Sequence, residues 1–176
     1  MTAEDPGQVI VRADLAGTAV FGASAAYAAI VFDTPAQWVG AVTALTLFAL
    51  GVAAFLWSYW NAVQRSRQDQ IAVSQLYFLL GAPTTSRVRR TMLGALLVQV
   101  AIAAGTTLAH PDGPDGDPGS SLAVGFLVPM FGLGLNGLWA AYHGVFPPRA
   151  TEPGASPSVE CGATEAGGIG NNDDHG

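Results

Sequence analysis

The sequence predicts an all-α polytopic membrane protein: an antiparallel bundle of four transmembrane helices with a short cytoplasmic or interfacial helix. Three observations predict it. Of the 176 residues, 50% are hydrophobic and 11% are charged, where soluble domains carry roughly 25% charged residues. Four apolar stretches each match the roughly 20 residues that a helix needs to cross a bilayer core. The arginines crowd into one of the loops between those stretches.

The first stretch, LAGTAVFGASAAYAAIVF, covers 15–32 and lies between Asp14 and Asp33. The second, WVGAVTALTLFALGVAAFLWSYW, covers 38–60; the third, TMLGALLVQVAIAAGTTLA, covers 91–109; the fourth, SLAVGFLVPMFGLGLNGLWAAYHGVF, covers 121–146. Each is apolar around its whole circumference, whereas a soluble bundle needs charged outer faces. Pro129 interrupts the backbone ladder of the fourth and predicts a kink there.

Five of the seven arginines, Arg65, Arg67, Arg87, Arg89 and Arg90, fall in the loop 61–90. The loop 110–120 is acidic and rich in Gly and Pro, and DTPAQ between the first two spans has no Arg. Basic loops stay on the cytoplasmic side. The expected location is therefore the cell membrane, multi-pass, with residues 1–14 and the tail 147–176 both cytoplasmic. Trp38 at one end of the second span, Trp57, Tyr59 and Trp60 at the other, and Trp139 and Tyr142 in the fourth fit an interfacial aromatic belt. A cleavable signal peptide is the competing reading of the first span, with Ala23-Ser24-Ala25 as its processing site, but the acidic start (Glu4, Asp5) opposes it.

Within the cytoplasmic loop, IAVSQLYFLL at 71–80 is apolar but too short to span, and Gly81 and Pro83 end it as they would a helix. The expectation is an interfacial helix near 70–80 with Leu76, Phe78, Leu79 and Leu80 dipping into the headgroups; a docking surface for another protein is the alternative. Thr84 to Ser86 supply a cap for the third span. The tail, rich in Pro, Gly, Ser and acidic residues, reads as disordered. Cys161 lies in it, too far from the end for a prenylation box, and as a single cysteine it supports neither an internal disulfide nor a multi-cysteine metal site.

GLGLNG, Gly132 to Gly137, fits G-x-G-x-x-G. A dinucleotide loop needs a preceding strand and an acidic residue about 20 positions on within a βαβ unit. Here the glycines sit midway along an apolar stretch. Their expected use is close helix packing, so Gly132, Gly134 and Gly137, with Gly22, Ala25, Ala26 and Ala29 of the first span, are the candidate packing faces.

Polar groups within the spans are few. Gln99 and Asn136 lie near the middle of the third and fourth, and an interhelical hydrogen bond between them, or to a backbone carbonyl, would satisfy both. Asp14 and Asp33 stand at span ends, where solvation is the expected state. With no acidic or basic residue deep in a span, proton relays and ion-coupled pumps are disfavoured. The residue sets of intramembrane proteases are missing. His110 and His143 belong to opposite faces of the bilayer, and His143 is expected to bond a helix-end carbonyl or a lipid phosphate. No catalytic, cofactor-binding or metal site is expected. The net charge of -6 offers no basic stripe for nucleic acid. Arg65, Arg67, Arg87, Arg89 and Arg90 are candidate contacts for anionic lipid headgroups.

The stretch VPMFGLGLNGLWAAYHGVFPPR, with SQLYFLLGAP…RVRR…LGALLVQ before it, resembles uncharacterised small four-span membrane proteins of actinobacteria over roughly Trp57 to Arg149. The resemblance implies an integral membrane location and carries no activity or catalytic residue with it. The sequence thus favours an accessory or scaffolding membrane component that is not an enzyme and meets lipids and a membrane-protein partner or further copies of itself. The alternative is a small oligomeric channel or uncoupled transporter lined by Gln99, Asn136 and Thr46.

Overall fold

The computed structural model describes residues 6–67, 69–80, 84–112 and 121–148. The stretches 81–83 and 113–120, and the tail with Arg149, Cys161 and His175, lie outside the described residues. The order is α1 (Pro6–Val31), α2 (Thr34–Arg65), α3 (Val73–Tyr77), α4 (Ser86–Ala109), a 3-10 helix (Ser121–Leu127) and α5 (Pro129–His143). The fold is all-α. Among the described residues, four segments are long and apolar enough to cross a membrane: Gly7–Val31, Thr34–Arg65, Ser86–Ala109 and Leu122–His143.

Local chemistry explains the ends. Asp33 caps α2, its Oδ1 accepting from the Ala36 amide at 2.8 Å, and Pro35 occupies the first turn, where its missing N–H costs nothing. The short α1–α2 turn puts Phe32 at φ 47°, a left-handed backbone that costs roughly 1–2 kcal/mol outside glycine. Its ring stacks on His110 at 4.0 Å, which ties the turn to the end of α4. Pro129 does not kink a continuous helix. The fourth span is a 3-10 segment up to Leu127 and becomes α-helical at Pro129, the first residue of α5. Proline lacks the N–H that an interior position must donate, so the α-helix starts there.

Helices adjacent in sequence are antiparallel, as Gly40 of α2 against Ala28 of α1 illustrates. The closest seams join helices that run the same way. Gly51, Ser58 and Trp57 of α2 meet Phe131, Gly137 and Tyr142 of α5, while Asp14 and Gly22 of α1 meet Gln99 and Ile102 of α4. α5 is the hub, packed against α1, α2, α3 and α4. Phe21, Leu47, Leu76, Met92, Phe131, Leu135 and Trp139 belong to one buried cluster around it. Trp139 is thus a core residue, 8% exposed, rather than part of an interfacial belt.

Gly132, Gly134 and Gly137 are buried on α5. A Cβ on Gly134 would strike the Gly51 carbonyl, and one on Gly137 would lie 2.6 Å from Ser58 Oγ. In α1 the packing face is Phe21, Ala25 and Ala28. Gly22 is half-buried, with Ile102 Cδ1 3.3 Å from its would-be Cβ, but Ala26 is exposed: it is one position past the stripe that faces the bundle.

Candidate functional site

The feature of most chemical interest lies where α1, α4 and α5 meet. Asp14 is fully buried, as is Gln99, and Thr18 is 8% exposed. Asp14 was expected at a solvated span end. Instead α1 begins at Pro6, and Asp14 falls on its inward stripe with Thr18, Phe21, Ala25 and Ala28. Spacings of four and three keep these residues on one helix face. Gln99 is central in α4, thirteen residues after Ser86 and ten before Ala109, and Asp14 lies toward the start of α1, eight residues after Pro6.

The hydrogen bonds define each group. Thr18 Oγ1 donates to the Asp14 backbone carbonyl at 2.8 Å. Its proton is thereby committed, so it can only accept from Gln99 Nε2, at 2.8 Å. The same amide nitrogen donates to Asp14 Oδ1 at 3.4 Å. Asp14 Oδ2 and Gln99 Oε1 are buried with no hydrogen-bond partner among the described residues. Gly132 makes room for this amide: a Cβ there would lie 2.9 Å from Gln99 Oε1. Gly17, on the same turn of α1 as Asp14, does likewise for the Phe131 ring, which a Cβ would overlap.

Gln99 and Asn136 do not bond each other. Asn136, fully buried, donates from Nδ2 to the Tyr77 carbonyl at 3.1 Å. Tyr77 stacks on Phe55 at 4.2 Å and donates its hydroxyl to the Phe55 carbonyl at 3.3 Å. Burial pushes the Tyr77 phenol above its usual range; the Ser58 hydrogen bond opposes the rise, and Tyr59 adds to it. Of the residues expected at the headgroups, the 71–80 segment turns two inward and leaves two exposed. Leu76, Tyr77 and Leu79 are buried against the bundle, and Phe78 and Leu80 point outward. Thr46 is also apart: it is exposed on α2 and donates to the Val42 carbonyl at 2.8 Å. The structure thus does not gather Gln99, Asn136 and Thr46 into one lining.

The arginines divide. Arg65 is an internal clamp: it donates to the Ala141 carbonyl at 2.8 Å near the end of α5, pairs with Asp69 at 3.1 Å and lies 5.5 Å from the Phe146 ring centroid. A cation at a helix C-terminus is favoured by the dipole and by the unpaired carbonyls there. Arg67, Arg87 and Arg90 are exposed, and Arg89 is half-buried, so these remain available to headgroups. His143 stacks on Trp139 at 5.6 Å, and its Nδ1 is buried with no partner among the described residues. It borders an apolar groove of about 700 Å³ lined by Ile10, Ala54, Trp57, Leu138 and Tyr142. No group of three His, Cys, Asp or Glu able to hold a metal occurs among the described residues.

Sequence reasoning missed Asp14 because it treated the first charge as the end of the span. A signal was available. Asp14 and Thr18 continue the four-three stripe of Phe21, Ala25 and Ala28 back toward the N-terminus, so an inward Asp14 follows if the helix is extended. No protein-family model, curated protein or solved structure matches this chain.

Proposed function

We propose that this protein is an accessory component of the cell membrane, with no catalysis of its own, both termini cytoplasmic, and membrane partners held on the outer face of α2. The observation that carries this reading is the contrast between two spans. An apolar 18-residue window of Leu122–His143 is 56% buried within the chain, that of Thr34–Arg65 only 17%. The fourth span completes the interior, and α2 packs by one side and leaves the other to its surroundings. Trp38, Val42, Leu45, Leu56, Tyr59 and Val63 are all exposed on that side. Trp38, Val42 and Leu45, and again Leu56, Tyr59 and Val63, step by three or four, and the eleven residues from one run to the next are about three helical turns, so both runs share one face, the pattern by which a second helix can interdigitate.

Native mass spectrometry of the protein, gently extracted from its own membrane, tests this reading. A stoichiometric complex with another polypeptide, lost when Leu45 and Leu56 are both changed to Ala, is expected. A monomer, or complexes indifferent to the α2 face, would overturn it. A pure homo-oligomer would favour the second reading, a small uncoupled transporter or channel. That reading draws its support from the polar cluster of Asp14, Thr18 and Gln99 in the bundle interior. An impermeant maleimide tests the topology: Cys161 should react only after the membrane is opened.

A further inference from the structure

We propose that Asp14, held between Gln99 and Thr18 in the interior of the bundle, is a proton-binding site of this protein. The inference stands apart from the accessory reading and holds whichever partner α2 meets. Asp14 is the one carboxyl or cationic side chain among the buried residues described. A carboxylate kept as an anion in such a place needs a cation or several strong donors, because desolvating an isolated charge is prohibitive and the group takes a proton instead. Intramembrane acids with this environment mark proton or ion sites.

The groups facing Asp14 do not supply that compensation. The neutral Gln99 of α4 bonds it; around that pair, Gly132 of α5 packs on Gln99 and Leu96, Phe131 of α5 packs on Gly17 of α1, and Gly51 of α2 packs on Phe131, so the surrounding contacts bring no cation. On α1 itself, Thr18 has already committed its hydroxyl proton to the Asp14 carbonyl. Arg12 stands on the exposed side of α1. The carboxyl therefore receives one N–H, at the long distance of 3.4 Å, on Oδ1, and Oδ2 has no partner among the described residues. One long donor is too little to compensate a buried anion; in the neutral acid Oδ1 accepts as the carbonyl oxygen and Oδ2 carries the proton. The step is the addition of one proton from the aqueous phase to one carboxylate oxygen, with no electron transfer and no leaving group. Release of the proton leaves an anion in the seam between α1, α4 and α5, which ties proton occupancy to how tightly α1 is seated.

Infrared difference spectroscopy of the protein in lipid nanodiscs, taken along a pH titration, tests the proposal. The expected result is a protonated-carboxyl C=O band that disappears reversibly as the pH rises, following a one-proton curve over roughly two pH units. Asp14→Asn should abolish the band, and Gln99→Leu should shift it. A band absent at every pH, or present and unchanged at every pH, would overturn the proposal. If Asp14→Asn fails to fold, the wild-type protein still decides. A hydrophobic carbodiimide adds the acid O–H across one of its C=N bonds, and the adduct rearranges to a stable acylurea. The adduct should map to the Asp14 peptide and fall at least tenfold as the pH rises. No adduct on that peptide at any pH would also overturn the site. Sodium in place of choline should leave the titration unmoved, and a sodium-dependent shift would reassign the site to a metal cation.

Discussion

Replacing Gly134 by Ala should be among the most damaging single-methyl changes available to this chain. The added Cβ would meet the Gly51 carbonyl, and the reciprocal change, Gly51→Ala, would put a Cβ 2.5 Å from the Phe131 backbone nitrogen. Both collisions are with backbone, which cannot rotate away. Carbon contacts settle at about 3.5–4.0 Å, so α2 and α5 must part by roughly 1 Å, and a gap of that size forfeits up to about half of each neighbouring dispersion contact. Overpacking of this kind costs on the order of 3 kcal/mol. Gly94→Ala and Gly105→Ala are the controls, since nothing lies within 4 Å of either new Cβ. Helix propensity makes them neutral to stabilising by up to about 1 kcal/mol. Reversible unfolding in mixed micelles with increasing SDS, followed by tryptophan fluorescence, would rank the four variants. Equal midpoints for Gly134→Ala and Gly94→Ala would refute the claim that glycine lets these two backbones touch.

Other expectations follow from the same contacts. Gln99→Leu removes the amide nitrogen that donates to both Thr18 and Asp14 and leaves each short of a partner; a loss of about 1–3 kcal/mol is expected in the same assay, with Gln99→Glu no rescue. Asn136→Leu cuts the bond to the Tyr77 carbonyl, worth on the order of 1 kcal/mol in membrane proteins, and should speed hydrogen exchange across Val73–Tyr77. Arg65→Ala loses the Ala141, Asp69 and Phe146 contacts together. The ion pair is partly exposed, so the stability change should be about 1 kcal/mol or less, with faster exchange in 69–80 as the more sensitive readout. Arg67→Ala with Arg87→Ala and Arg90→Ala should reduce the anionic lipid retained in native mass spectra, and Arg65→Ala alone should not.

The sequence by itself determined the class of molecule. Apolar length and charge shortage specify four spans, because a helix must satisfy its own backbone in lipid and needs about 20 residues to cross. The same reasoning located the glycines of GLGLNG inside a helix. Only the tertiary structure decided what each inward residue touches. Composition cannot say that Gly134 meets Gly51, that Ala28 rather than Ala26 faces inward, or that Gln99 bonds α1 while Asn136 bonds the segment after α2. In lipid every face of a span is apolar, so hydropathy does not distinguish the packed side from the exposed one. Asp14 is the sharpest case. Read along the chain, a charge marks where a span ends; read in space, α1 starts a full two turns earlier and carries that charge into the bundle, where its neighbours rather than its neighbourhood in sequence decide its state.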